Sequence, residues 1–126
     1  MGSYLERTRK IWEKAGKTEE GKRELLQYDQ VVDVVVTSKG RLVERFQIGV
    51  EKGVLRFYDG ALLREQPVEG MFVVEVGRGE FRRLFSRGET FIDLGYANKV
   101  RCLPTMKKDY LIGWVGRIFE LGKRAD

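Results

Sequence analysis

The chain has 126 residues, of which 42% are hydrophobic and 34% are charged, and its formal net charge is +5. This length is typical of one domain that is large enough to bury a core without disulfides. No apolar run approaches the roughly 20 residues that a membrane-spanning helix needs, so we expect no membrane span. The basic balance favours partners such as nucleic acid, an anionic membrane surface or an acidic protein.

Histidine is absent from the sequence, and cysteine occurs once, at Cys102. Without histidine the chain offers no Ser–His or Cys–His pair and no imidazole ligand, and one cysteine cannot build a zinc cluster. We therefore expect a protein that is not an enzyme and that holds no metal and no cofactor. Cys102 stands in an apolar run, which favours a core position. A lone cysteine rules out an internal disulfide without deciding the compartment, and the default expectation is an intracellular, cytoplasmic protein. Abundant Lys, Arg and Glu beside scarce Asn and Cys are typical of hyperthermophiles, which indicates an archaeal or viral source.

Residues 1–28 are predicted to form an N-terminal helical arm that lies on the sheet or on a neighbouring subunit. Ser3 and Glu6 make a capping box, and Gly16 ends the first helix. A second, shorter helix begins at Thr18. We expect Trp12 to contact a partner. The first helix has an apolar face whose members recur at three- and four-residue steps, namely Leu5, Thr8, Ile11, Trp12 and Ala15.

Residues 29–126 are predicted to form a β-domain with a C-terminal helix. Strand signals are β-branched or alternating segments bounded by turn residues, at 31–37, 41–49, 54–58, 61–65, 71–76, 90–94 and 99–103. Residues 80–86 fit either a helical turn or a strand. The helix is favoured, because a strand would bury Arg83 between two phenylalanines. The predicted fold is α+β, with about seven antiparallel strands arranged as a bent sandwich or open barrel.

The C-terminal helix, predicted over residues 105–122, organises this fold. Pro104 and Thr105 mark its start and Gly122 its end. Burying seven apolar side chains at roughly 1.5–3 kcal/mol each amounts to about 10–20 kcal/mol gross, so the helix needs a large apolar partner surface. Gly113 and Gly116 favour close approach by the chain's own sheet or by a second subunit. The seven side chains share one helical face: Met106, Tyr110, Leu111, Trp114, Val115, Ile118 and Phe119.

Short antiparallel strands followed by one helix with a buried tryptophan resemble the pleckstrin-homology superfold. The similarity is carried by RFQI at residues 45–48, GVLRFYD at 53–59 and DYLIGWV at 109–115, which match that family's second strand, third strand and helix. The resemblance implies two sheets plugged at one end by the helix, and a protein or phosphoinositide ligand.

The phosphoinositide site of that superfold is matched only in part. Arg41 and Arg45 fit its basic second strand, and Lys39 lies in the turn before them. The first strand offers Asp33 and no lysine, and the loop at 38–40 is too tight to hold a headgroup. This departure disfavours phosphoinositide binding and leaves a protein partner as the ligand that the resemblance implies.

Two functions are therefore expected. The first is a non-catalytic interaction or assembly module that binds a protein partner or forms a homo-oligomer. The alternative is a nucleic-acid-binding accessory protein, in which cations bind phosphates while Phe81 and Phe85 stack on bases. The same residues also fit a solvated face over a core. The basic residues of this segment are Arg78, Arg82, Arg83 and Arg87.

Overall fold

The computed structural model describes residues 3–59, 71–85, 90–103 and 105–124. Five helices, one 3-10 turn and five strands make up this part of the chain. In chain order they are α1 (Ser3–Lys17), α2 (Glu19–Leu25), β1 (Gln30–Ser38), β2 (Arg41–Glu51), β3 (Val54–Asp59), β4 (Met71–Gly77), α3 (Arg78–Arg83), α4 (Phe91–Tyr96), β5 (Val100–Leu103), the 3-10 turn (Thr105–Lys107) and α5 (Lys108–Arg124).

The strands form one sheet in the order β3-β2-β1-β4-β5. β1 pairs antiparallel with β2 but parallel with β4, while β2–β3 and β4–β5 are antiparallel. Over the described ranges the sheet is therefore mixed and open. The prediction of seven antiparallel strands in a sandwich or barrel is wrong, because β4 returns to the far side of β1 instead of extending the meander beyond β3. The valine-rich β1 becomes the central strand, with a neighbour on each side.

Individual elements were predicted better than their arrangement. The strands at 31–37, 41–49, 54–58, 71–76 and 99–103 are confirmed as β1 to β5, and α3 confirms the helical interpretation of 80–86. The strand at 90–94 is wrong, because Thr90 caps α4 through a capping box with Asp93. The strand at 61–65 lies outside the described residues.

Both hairpin turns are built from a Lys-Gly pair. Lys39 and Gly40 have φ of 53° and 78°, and Lys52 and Gly53 have φ of 50° and 83°. Positive φ at both central residues matches the twist of the flanking strands and closes two-residue turns. These turns fix the register of β2 against β1 and β3.

A bulge at Val43 changes which side chains of β2 face the helices. Val36 pairs with Glu44, whereas Thr37 pairs with Leu42, so Val43 has no partner in register. Leu42 is 63% exposed as a result. The Glu44 carboxylate accepts hydrogen bonds from the backbone N–H groups of Tyr4 and Leu5, both at 3.0 Å, and so caps α1 from the sheet.

The helices cover one face of the sheet, and α1 packs along α5. A Cβ at Gly122 would lie 2.0 Å from the backbone oxygen of Ile11, so glycine permits this close approach. Gly122 therefore does not end the helix, which continues to Arg124. Met106 is 87% exposed because the 3-10 turn precedes α5 and breaks the predicted periodicity. The rest of the predicted face, apart from the half-exposed Tyr110, is buried: Leu111, Trp114, Val115, Ile118 and Phe119.

Candidate functional site

The layer between the sheet and the helices contains a small cavity. Its volume is about 10 Å³, which is room for one water molecule. Strands β1, β2 and β4 supply its floor, and α1, α3, α4 and α5 supply its roof. Nine of its ten lining side chains are apolar, and the tenth is Thr8. The ten are Thr8, Trp12, Val32, Val34, Ile48, Val74, Phe81, Phe91, Val115 and Phe119.

Polar atoms on this interior layer lack partners. Thr8 is 1% exposed and Trp12 is not exposed at all, yet Thr8 Oγ1 and Trp12 Nε1 make no hydrogen bond within the described part of the chain. Since the two residues are four apart on α1, they lie on the same helical face. Trp114 Nε1 is buried without a partner in the same way. A buried polar group without a hydrogen bond is costly, so these three atoms call for an explanation.

Aromatic side chains fill most of the interior. The Trp12 ring meets the rings of Trp114 and Phe119 edge-on, with centroids 6.0 and 5.7 Å apart. Phe91 stacks on Phe119 at 6.0 Å, and Phe81 meets Phe119 at 6.5 Å. Phe81 and Phe91 come from α3 and α4, which have six residues each. Helices this short depend mainly on packing against the rest of the protein, although a capping box also stabilises α4.

Tyr28 closes the interior beside Trp114. The two rings stack at 4.8 Å, and the Tyr28 hydroxyl donates to Glu24 Oε2 at 3.4 Å. Burial, followed by the negative charge of Glu24, raises the pKa of Tyr28 to about 12. This hydroxyl therefore stays protonated through the neutral range.

The opposite face of the sheet carries a partly buried ion pair. Arg45 Nε donates to Asp33 Oδ1 at 3.0 Å, and its terminal nitrogen donates to Oδ2 at 2.6 Å. The Asp33 side chain is 5% exposed, against 39% for Arg45. Hydrogen bonding to Asp33 raises the pKa of Arg45. This pair explains why Asp33 stands on a strand of valines.

The residues predicted to bind nucleic acid or anions fall into two groups. Lys39 and Arg41 are exposed at the β1–β2 turn, whereas Arg45 is engaged by Asp33. Arg78, Arg82 and Arg83 lie on the exposed side of α3, above the buried Phe81. Because Thr37 pairs with Gly77, the turn and the start of α3 lie at the same end of the sheet. Arg87 lies outside the described residues.

The residues predicted as an interface lie in three settings. Trp12 is fully buried against α5 within the chain itself. A Cβ at Gly116 would lie 2.7 Å from Ile92 Cγ1, so this glycine admits α4. Gly113 is exposed, and a Cβ there would meet nothing within 4 Å.

Cys102 is 3% exposed, which confirms the predicted core position, and burial raises the pKa of its thiol.

Thr8 is the interior residue that sequence analysis did not single out. It was placed on the apolar face of the first helix, where a polar residue among apolar neighbours is a signal in itself.

In the described ranges, no three His, Cys, Asp or Glu side chains gather into a group suited to a metal ion. Nor does any described helix combine the length and apolarity needed to cross a bilayer.

Comparison with solved structures finds proteins of similar fold. Sterol carrier protein-2 like-3 from Aedes aegypti superposes with a TM-score of 0.58 at 15% identity, covering 86% of this chain and 92% of that one. Sterol carrier protein 2 from Yarrowia lipolytica, in its apo form, gives 0.61 at 10% identity, with 95% and 89% covered. A conserved hypothetical protein from Thermus thermophilus gives 0.60 at 7% identity, with 95% and 86% covered. No protein-family model matches the chain, and no curated protein matches its sequence.

The fold is therefore like that of sterol carrier protein-2, and the pleckstrin-homology resemblance is wrong. The motif at residues 45–48 does lie in a second strand and that at 109–115 in a terminal helix. The two folds differ because β4 runs parallel to β1 here, whereas the pleckstrin-homology resemblance implied antiparallel strands. The nucleic-acid prediction rested on the arginines of residues 78–87 beside Phe81 and Phe85. The assembly-module prediction rested on the superfold and on Gly113, Gly116 and Trp12. The sterol-carrier-like fold found here contradicts both.

Proposed function

We propose that this protein binds a lipid-like ligand, apolar with one polar end, between its sheet and its helices. The observation that carries the proposal is the cavity beneath α1, where Thr8 Oγ1 and Trp12 Nε1 are buried without partners in an apolar layer. An oxygen at the polar end of a ligand would satisfy these groups. The likeness to sterol carrier proteins supports the same choice of ligand class.

The cavity must expand to hold such a ligand. Pockets for small molecules measure roughly 300–1,000 Å³, whereas this cavity measures about 10 Å³. In this proposal the described structure is a closed state, and the ligand gains space when Phe81 and Phe91 move outward with the short helices that carry them. Binding is the whole of the proposed activity, with no catalytic step. We place the protein in the cytoplasm, on the ground that its one cysteine is a buried thiol.

Tryptophan fluorescence gives a direct test. The chain has two tryptophans, Trp12 and Trp114, and both are buried in the interior. Titration with a fluorescent fatty acid and with a fluorescent sterol should quench their emission by energy transfer, saturably and with one ligand per chain. Emission that stays unchanged while both ligands remain free in solution would end the proposal.

A matched pair of variants locates the ligand. Phe91 lines the cavity and Phe46 does not, although both rings are almost fully buried. Phe91→Leu and Phe46→Leu should each destabilise the protein by on the order of 1 kcal/mol. Only Phe91→Leu makes room in the cavity, so it alone should bind ligand more tightly. Equal gains in the two variants would place the ligand elsewhere.

A further inference from the structure

One surface of the molecule combines exposed apolar side chains with lysines. Met106 is 87% exposed in the 3-10 turn, Tyr96 is 68% exposed at the end of α4, and Tyr110 is 42% exposed near the start of α5. Large apolar side chains that are exposed as a group indicate an interaction surface, whereas single exposed ones are normal on any protein. The group is called the 96–110 surface, and it consists of Tyr96, Lys99, Met106, Lys107, Lys108 and Tyr110.

A hydrogen bond joins the two segments of this surface, and two further contacts hold Tyr110. Lys108 Nζ donates to Asn98 Oδ1 at 2.8 Å, which ties the start of α5 to the turn before β5. Lys107 Nζ lies 6.0 Å from the centroid of the Tyr110 ring. The Tyr110 hydroxyl accepts from Gln30 Nε2 at 3.0 Å, at the beginning of β1. Residues 96–99 and 106–110 are thereby presented together at one place on the protein.

The charges of the surface favour an anionic partner. Its three lysines face one exposed carboxylate within the same stretch, Asp109, so the balance is +2. Arg101 adds little, because it lies 3.7 Å from Glu75 in an ion pair. On α4, Asp93 lies outside residues 96–110 and keeps its negative charge while it caps the helix with Thr90. Positive charge beside exposed rings and a thioether is the composition that suits an anionic bilayer surface.

We propose that the 96–110 surface docks on the anionic surface of a lipid bilayer. Met106 and Tyr96 enter the interfacial zone, where amphipathic rings are favoured, and the lysines extend along it with their ammonium groups among the headgroups. Docking goes beyond the proposed ligand binding and requires no ligand in the interior. Vesicle binding by the unloaded protein therefore tests docking separately from ligand uptake.

The test is sedimentation of the protein with vesicles of phosphatidylcholine alone and with vesicles that also contain phosphatidylserine. We expect binding to the mixed vesicles at low salt and its loss at about 0.15 M salt, where the Debye length falls to roughly 8 Å. Each lysine near the membrane contributes about fivefold, so K99Q/K107Q/K108Q should bind about 100-fold more weakly. Tyr96→Ser with Met106→Ser should weaken binding by about tenfold or more.

The matched control removes three charges from the other end of β1. Lys39, Arg41 and Arg78 are exposed there, so K39Q/R41Q/R78Q, which lowers the net charge equally, should lose much less vesicle affinity than K99Q/K107Q/K108Q. An equal loss in this control would overturn the proposal, as would failure of the unaltered protein to bind mixed vesicles. Light scattering that shows a dimer, dissolved by Met106→Ser, would assign the surface to a second copy and overturn it too. Circular dichroism checks that every variant is folded.

Discussion

Replacing Thr8 by valine should stabilise the free protein and weaken its binding of polar-ended ligands. The hydroxyl is 1% exposed and has no hydrogen-bond partner in the described structure. Valine has nearly the same shape and a similar helix propensity, so the packing against the cavity is kept. Removing an unsatisfied hydroxyl recovers about 1–3 kcal/mol. The free protein should therefore melt several degrees higher, at roughly 3–5 °C per kcal/mol for a chain of this size.

Ligand binding should change in the opposite direction. A hydrogen bond from Thr8 to the polar end of a ligand contributes about 0.5–1.5 kcal/mol, so Thr8→Val should lower the affinity for a fatty acid by roughly 2- to 10-fold. The affinity for a long-chain alkane, which has no polar end, should not fall. Thermal unfolding followed by circular dichroism, with and without each ligand, measures both effects. Thr8→Ser keeps the hydroxyl, and it should keep the preference for the polar-ended ligand.

A lower melting temperature for Thr8→Val would refute this reasoning. It would mean that the hydroxyl has a partner in the folded protein. A higher melting temperature with unchanged fatty-acid affinity would show that burying the Thr8 hydroxyl is costly. It would also show that Thr8 does not contact the ligand.

Three further predictions concern other parts of the fold. Gly122→Ala should destabilise the protein by several kcal/mol, because the new Cβ would meet the backbone of Ile11 at 2.0 Å, whereas Gly113→Ala, in open space on the same helix, should stabilise it by about 0.5–1 kcal/mol; chemical denaturation compares them. Glu44→Gln should cost about 1 kcal/mol in the same assay, because one of the two capped N–H groups loses its acceptor and the other keeps only a neutral one; no change would show that water caps α1 equally well. The pKa of Tyr28 is about 12, above the ordinary value of 10.0, so the unfolded chain loses this proton first and stability should fall from pH 10 towards pH 12. Tyr28→Phe should reduce that fall, and a Tyr28 that titrates with the other tyrosines in ultraviolet absorbance would contradict it.

Local signals predicted most elements, because their causes lie within a few residues. The Lys-Gly turns, the valine run of β1 and the apolar stripe of α5 each report on their own segment. The capping box at Thr90 and Asp93 is also local, but it was missed because β-branched and aromatic neighbours favoured a strand. A test for Thr followed three residues later by an acidic side chain would have found it.

The arrangement depended on pairings that no short window contains. Alternation identifies β4 as a strand, but it does not say that this strand lies beside β1. The five valines of β1 were the available hint, since strands buried on both faces read as continuous apolar runs. The candidate site combines α1 with α3, α4 and α5, so its geometry appears only once the chain is folded. Thr8 could be placed on a buried face from sequence, whereas its lack of a partner could not.

The close contact of α1 with α5 has a consequence for synthesis on the ribosome. Roughly 100 residues separate Trp12 from Phe119, the ring that it meets edge-on. At about 5–20 residues per second, the apolar side of α1 waits for roughly 5–20 s before its helical partner is made. Over that interval a nascent chain that cannot yet bury Trp12 is a substrate for chaperones, and the final helix both completes the interior and ends that exposure.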